Sequence, residues 1–234
     1  SYLRNLSKKN KNIDVIDNTE LDIRQLESLS KIYLPNESEA IDFGQLIVTD
    51  GAHSKFAEKL NIPYKNINYD QTSYIFNGEY DSMEKSTAQI FTDKGVFAVL
   101  PGNGNKKSIV ATIHNQFIDD FKFESNTVNE NLLVRQLLPY VKNLKNLKLI
   151  YKHPLNTARL DNWFFKQTLF LGNSSQLLHP FGAQGFNFAL DCIKKLDTQW
   201  EYLSSNDKST EHVINNITKK RNELFNGIDL TSSL

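Results

Sequence analysis

Sulfur and tryptophan are scarce: the 234 residues hold one Cys, one Met and two Trp. A single thiol, Cys192, excludes an internal disulfide framework and a thiolate metal cluster. Net charge is missing too, because 27 Lys and Arg offset 27 Asp and Glu. A chain without excess basic charge lacks the electrostatic footprint of a nucleic-acid binder. No apolar run approaches the roughly 20 residues that a membrane-spanning helix requires, so any membrane contact is expected to be peripheral. The opening Ser1-Tyr2-Leu3-Arg4 is polar, has no Met and does not read as a secretory leader; it reads as the start of a fragment. With one cysteine and no leader, the expected setting is cytoplasmic.

What is present is an ordinary globular mixture, 39% hydrophobic and 23% charged, with no internal repeat, low-complexity block or clean linker. Residues 2–9 carry a helical apolar edge, and Ile13-Asp14-Val15-Ile16 and Ser30 to Leu34 alternate like short strands. Gln45 to Thr49 is an apolar run that reads as a strand buried on both faces. A short helix follows, to Leu60, with Ser54 as its N-cap. From Ile67 to Val110, β-branched and aromatic residues recur in short runs punctuated by Gly78, Gly95 and Pro101-Gly102. These runs predict a largely antiparallel sheet. Asn129 opens a helix with the stripe Leu133, Leu137, Val141, Leu144. Strands are predicted at Leu147–Tyr151 and Thr168–Leu171, and helices over Gln184–Leu196 and residues 209–226. The order defines an α+β or mixed α/β fold.

The chemistry is concentrated between Leu169 and Asp191: strand, Gly172 turn, Pro180 loop, small residues Gly182-Ala183, then a helix opening at Gln184-Gly185. A helix start presents unpaired backbone N–H groups and the positive end of its dipole. Small residues beside it let a flat ligand approach the backbone. Such a place suits the anionic or electron-rich edge of a cofactor. The same pattern also arises where a helix merely packs closely on a strand.

This segment is similar to the second flavin motif of the FAD-dependent aromatic hydroxylases, the class A flavoprotein monooxygenases. The family pattern runs Gly-Asp-Ala-Ala-His, then Pro, then Gly-Gln-Gly-x-Asn. One branch, the ubiquinone-biosynthesis hydroxylases of the 2-polyprenyl-6-methoxyphenol type, has Asn and Gln where Asn173 and Gln176 stand, with His-Pro and Gln-Gly-Phe-Asn matched by His179-Pro180 and Gln184-Gly185-Phe186-Asn187. Leu46 to Lys55 resembles the family's Asp-Gly-x-x-Ser motif through Asp50, Gly51 and Ser54. Phe91 to Pro101 resembles Phe-x-x-x-Gly-x-x-Ala-x-Leu-Pro on its substrate sheet. Pro154-Leu155 is a weaker match, and Lys220-Arg221 through Thr231 resembles the polar helix after the cofactor loop. Against the pattern, no Gly-x-Gly-x-x-Gly is present; Ala183 replaces the first Gly of Gly-Gln-Gly; Val48 replaces the first Gly before Asp50; and Ala57 stands where Arg is frequent.

The resemblance implies a truncated FAD/NAD(P)-binding fold, with residues 1–64 and 145–234 as a partial FAD-binding domain and 65–144 as a substrate-binding sheet domain. It implies FAD as cofactor, NADPH or NADH as electron donor, and hydroxylation of a prenylated phenol in ubiquinone biosynthesis. The implied cofactor residues are Asp50, Gly51, Gly172, Asn173, Gln176, Pro180, Gly182, Ala183, Gln184, Gly185, Phe186 and Asn187. An apolar pocket is expected from Tyr74, Phe76, Phe91, Phe97 and Pro101. No catalytic side chain or metal ligand is assigned. Without the dinucleotide fingerprint, this fragment alone is expected to be inactive and to bind FAD weakly. Location at the inner membrane's periphery, beside other ubiquinone-biosynthesis proteins, goes with that reading.

Two other readings stay open. One is a non-catalytic remnant or scaffold of the same fold that docks to other biosynthetic proteins; the other is a related flavoprotein with a different aromatic or lipid substrate. Individual residues have plainer roles as well. Asp50-Gly51 is also a generic turn, His179 a hydrogen-bonded loop histidine, and Cys192 a core residue spaced with Phe188 and Leu196. His53, His114, His153 and His212 show no ligand spacing, and Ser174-Ser175 lacks a hydrolase elbow.

Overall fold

A computed structural model describes residues 2–17, 31–33, 40–79, 87–102, 106–121, 130–137, 144–180, 184–198 and 208–232. The expectations at Leu21–Ile23, Asn129, Val141, Gly182 and Ala183 lie outside the described residues. Helices are α1 (Tyr2–Lys9), α2 (Lys55–Lys59), α3 (Ile118–Phe121), α4 (Glu130–Leu137), α5 (Gln184–Asp197) and α6 (Lys208–Ser232). Strands are β1 (Lys31–Tyr33), β2 (Ala40–Asp42), β3 (Leu46–Val48), β4 (Tyr64–Glu79), β5 (Ala88–Thr92), β6 (Gly95–Pro101), β7 (Lys106–His114), β8 (Lys145–Leu160), β9 (Phe164–Phe165), β10 (Thr168–Phe170) and β11 (Gln176–Leu177). The fold is mixed α/β with a largely antiparallel sheet, the class expected from the order of elements.

The chain divides into two compact units. One comprises Ser1–Lys65 and Ala158–Ile228, the other Asn66–Thr157 and Asp229–Leu234. Two of the three boundaries fall inside a strand, at the start of β4 and near the end of β8, and the third falls inside α6.

In the first unit β3 and β10 pair in parallel, Leu46 opposite Thr168 and Val48 opposite Phe170, and β9 adds an antiparallel edge. Parallel neighbours so far apart in sequence require a long crossover. Val48, Ala57, Ile62, Leu160 and Phe170 close one core around this sheet. A second core joins Trp163, Leu169 and Leu171 to Cys192 and Leu196 of α5 and to Val213 and Ile217 of α6. The i, i+4 spacing on both helices gives each one buried stripe. On α6 that stripe runs Val213, Ile217, Arg221, Phe225, all buried, so a guanidinium occupies a core position.

The second unit is a sheet in the order β8-β4-β7-β6-β5. Register is continuous from Gln71 opposite His114 to Glu79 opposite Lys106, and from Gly95 opposite Ile113 to Pro101 opposite Lys107. Alternation along β4, β6 and β7 sends Tyr74, Phe76, Phe97, Val99, Ile109, Ala111 and Ile113 into one core, closed by Phe121 and by Leu133 and Leu137 of α4.

Three local expectations change. Residues 13–17 form no strand, because alternation without a pairing partner leaves backbone groups to water. The run at β3 is not buried on both faces: Val48 is 4% exposed but Ile47 is 44% exposed, since β3 ends its sheet among the described residues. The strand at Leu147–Tyr151 continues through Pro154 to Leu160. On the β11 side, β8 pairs among the described residues at Ala158 and Arg159 alone, and a residue without N–H is tolerated on such a flank.

The turn between β5 and β6 needs a residue without Cβ. Gly95 has φ +149°, and a Cβ there would lie 2.0 Å from the Thr112 carbonyl oxygen. Gly95→Ala is therefore expected to lower stability by about 1–3 kcal/mol, read as a fall in the urea midpoint with unchanged slope.

Candidate functional site

Two turns of the first unit, following its two parallel strands, build the site. After β3 comes Asp50-Gly51, with Gly51 at φ +92°. After β10 comes Gly172-Asn173-Ser174, a single 3₁₀ turn with Gly172 at φ +63°. Positive φ at both places favours glycine for a steric reason. The α2 N-cap wires the first turn: Ser54 Oγ accepts from Ala57 N at 3.1 Å and donates to Asp50 Oδ2 at 2.9 Å. Asp50 thus braces a cap as well as a turn.

Tyr64 ties the two turns together. Its hydroxyl accepts from Ser54 N at 3.2 Å and donates to the Ser174 carbonyl at 2.6 Å. Burial, with Asp50 adding to it, pushes the phenol pKa up, so it keeps its proton at neutral pH. Beneath, the Val48 carbonyl accepts from Leu171 N at 3.0 Å and from Ser174 Oγ at 2.8 Å. Every one of these bonds couples positions more than a hundred residues apart or anchors a residue that does.

The two turns, the segment from Leu177 to Pro180 and α5 from Gly185 to Ile193 line a groove of about 580 Å³. That lies within the range of small-molecule and cofactor sites. Gly51, Gly172, Asn173, Pro180, Gly185 and Phe186 all line it, with Leu177, Leu178 and Ile193 as apolar wall. A Cβ built on Gly185 meets no atom of the described residues within 4 Å, so among them this stretch of the groove is open. Phe186 is 73% exposed.

The other candidate residues sit elsewhere. Gln184 and Asn187 are on the opening turn of α5 but not on the groove wall. Gln176 is 3% exposed and faces a smaller cavity, where its Oε1 accepts from Arg221 Nε at 3.1 Å. In the second unit Tyr74, Phe76 and Phe97 are packed in the core at 1%, 0% and 0% exposure, whereas Phe91 is 59% exposed and Pro101 is exposed at the end of β6. Among the described residues no cluster of three His, Cys, Asp or Glu could hold a metal. No helix among them is long and apolar enough to cross a membrane.

Arg221, which in the sequence reads only as part of a polar helix, is buried in the structure. It is 3% exposed, lies 4.7 Å over the Trp163 ring, and donates to Gln176 and to the Ser175 carbonyl. Burial drags its pKa down to about 10, which still leaves it charged at neutral pH. No carboxylate among the described residues pairs with it. The signal was available as the period-four stripe of α6, in which position 221 falls between Ile217 and Phe225.

The fold is that of the FAD-dependent monooxygenases and their halogenase cousins. A probable FAD-dependent monooxygenase of Pseudomonas aeruginosa, pqsL, matches with a TM-score of 0.68 at 14% identity, over 97% of this chain and 66% of that one. CmlS, a flavin-dependent halogenase, matches at 0.70 and 11% identity, over 93% and 42%. A 2-methyl-3-hydroxypyridine-5-carboxylic acid oxygenase matches at 0.64 and 14%, over 95% and 60%. In sequence, the chain is similar to the ubiquinone hydroxylase UbiL of Rhodospirillum rubrum, 21% identical over 146 residues. Those residues are 62% of this chain and 34% of UbiL, so the match spans about a third of that relative. No family model matches the chain.

Two outcomes follow from the wiring. Tyr64→Phe is expected to lose about 1 kcal/mol and to speed amide exchange at both turns together, measured by hydrogen exchange. Cys192 lines the same small cavity as Arg221. Cys192→Asp would give that guanidinium a carboxylate, with an expected gain of about 1.5–3 kcal/mol in urea unfolding.

Proposed function

We propose that this chain is the flavin-facing part of an FAD-dependent monooxygenase that hydroxylates a prenylated phenol in ubiquinone biosynthesis, with NADPH or NADH as electron donor. One observation carries the reading: Gly51, Gly172 and the opening of α5 converge on a single open groove. The donor set suits a flavin. Helix α5 begins with N–H groups that have no acceptor within the helix, and these would favour the electron-rich edge of the ring system. The Asn173 amide supplies both a donor and an acceptor for a polyol chain. Gly51 and Gly172 keep two turns free of side chains where phosphate and ribityl oxygens would approach the backbone. Leu177, Leu178, Pro180 and Phe186 would cover the ring and exclude water.

When bound, a flavin supplies the redox chemistry and the activation of dioxygen. The chain's own share is positional. Tyr64 and Ser54 hold the turns at a set separation, and the apolar wall keeps the groove dry. The likeness to UbiL supports ubiquinone chemistry over other aromatic hydroxylations. A soluble enzyme beside the inner membrane suits a prenylated substrate, and other proteins of the same pathway are the partners proposed.

The scaffold reading is favoured by a different observation. Phe186, Leu190 and Ile193 form an exposed apolar stripe on α5, at 73%, 48% and 49% exposure. Such a stripe would suit docking to another protein. Visible absorbance of the purified full-length protein separates the two. A flavin band is expected, with FAD affinity at least about tenfold weaker in Gly185→Val and an unchanged unfolding midpoint. Protein that stays colourless after incubation with FAD contradicts the flavin reading.

A further inference from the structure

A second cavity adjoins the groove, sharing Gly172 and Gly185 with it and enclosed by Trp163, Phe188, Cys192 and Arg221. Its free volume, about 10 Å³, suits a single monatomic or water-sized ligand. Two side chains more than nine-tenths buried face it with polar capacity left over. Gln176 is 3% exposed, and its Nε2 has no hydrogen-bond partner among the described residues. The Gln176 orientation is set by its Oε1, which already accepts from Arg221 Nε. Arg221 is 3% exposed and, among the described residues, donates otherwise from Nη2 to the Ser175 carbonyl at 3.3 Å. A guanidinium carries five N–H donors, and these bonds use two of them.

The charge is uncompensated as well. No carboxylate among the described residues pairs with Arg221. The titratable groups that bear on it are Arg159, a second cation, and Cys192, whose thiol is kept protonated by burial. Arg159 itself donates to Asn222 and lies over the Phe225 ring, and no carboxylate among the described residues pairs with it. An isolated buried cation costs several kcal/mol unless a counter-charge is supplied.

Water meets only part of the need. It would accept from Gln176 and Arg221, and Gln176 Oε1, which takes one bond from Arg221 Nε, keeps a second lone pair. A neutral ligand nevertheless leaves the charge uncancelled. An anion needs donors only, and Gly185, the second residue of α5 and part of the cavity lining, carries a backbone N–H with no acceptor inside the helix.

We propose that this cavity is a site for one small monovalent anion of the halide class, held by the Arg221 guanidinium and the Gln176 amide. Occupancy neutralises the core position on α6 and joins α6 to β11 and to the start of α5. The site therefore tunes the stability of the groove's floor through the chloride concentration.

Thermal unfolding in chloride, bromide and gluconate at equal ionic strength tests this. Screening is common to the three salts, and gluconate is too large for the cavity. A specific site stabilises as the logarithm of ligand over Kd. The Tm is expected to rise with chloride and bromide, relative to gluconate, and bromide-soaked crystals are expected to show an anomalous peak between Arg221 and Gln176. Arg221→Met is expected to abolish the halide increment. Gln176→Glu, which supplies an internal carboxylate and keeps the packing, is expected to raise the Tm in gluconate and to lose the increment too; it decides the matter where the methionine variant does not fold. Identical Tm values in the three salts, or a halide increment that survives in Gln176→Glu, overturns the proposal, as does a cavity that holds water alone at high bromide. Flavin takes no part in this assay, so its outcome is independent of the function proposed above.

Discussion

A single phenol holds the candidate site together. Tyr64 accepts from the backbone of the α2 cap and donates to the backbone of the turn after β10. Everything the groove offers depends on those two turns keeping their separation. The strands that lead into them pair in parallel through only three residues each, too short a ladder to fix the loops beyond it. The hydrogen bonds from Ser54, Tyr64 and Ser174 supply the missing constraint, and they do so with groups that are half or fully buried, where such bonds resist competition from water.

Beneath the groove the chain takes a more costly course. Placing Arg221 in the apolar stripe of α6 introduces a charge where the neighbours Val213, Ile217 and Phe225 are all hydrophobic. Stacking on Trp163 and two hydrogen bonds to neutral acceptors offset part of the desolvation. The remainder is a positive potential close to Gly172 and Gly185, the glycines that the groove and the small cavity share. Helix α5 adds its own positive end at the same place. The two sources act together, and both make this part of the molecule receptive to electron-rich ligands.

Much of this architecture is legible in the residues. Aromatic and β-branched runs from Ile67 onward declare the sheet, and Ser54 declares its helix because its side chain has one obvious use there. The glycines at 51, 172 and 185 read as turns and a helix opening. What the sequence conceals is non-local. Ile13 to Ile16 has the alternation of a strand, yet a strand exists only where another lies beside it. Pro154 suggests a stop, yet it is harmless on the flank of β8 that pairs, among the described residues, at Ala158 and Arg159 alone. Gln176 reads as a ligand donor, while its partner, Arg221, hides in a helix that looks polar from its composition. The Tyr64 bridge joins positions 110 residues apart, and no local pattern announces such a contact.

The central claim is that the groove between the two turns and the start of α5 receives an isoalloxazine with its ribityl chain. Hydrogen exchange of the full-length protein, with and without FAD, addresses it most directly. Slowed exchange at Gly51, at Gly172 and Asn173, and at Gln184 through Phe186, all at the same FAD concentration, is the predicted result. FAD that binds while these amides exchange at their free rates would contradict it.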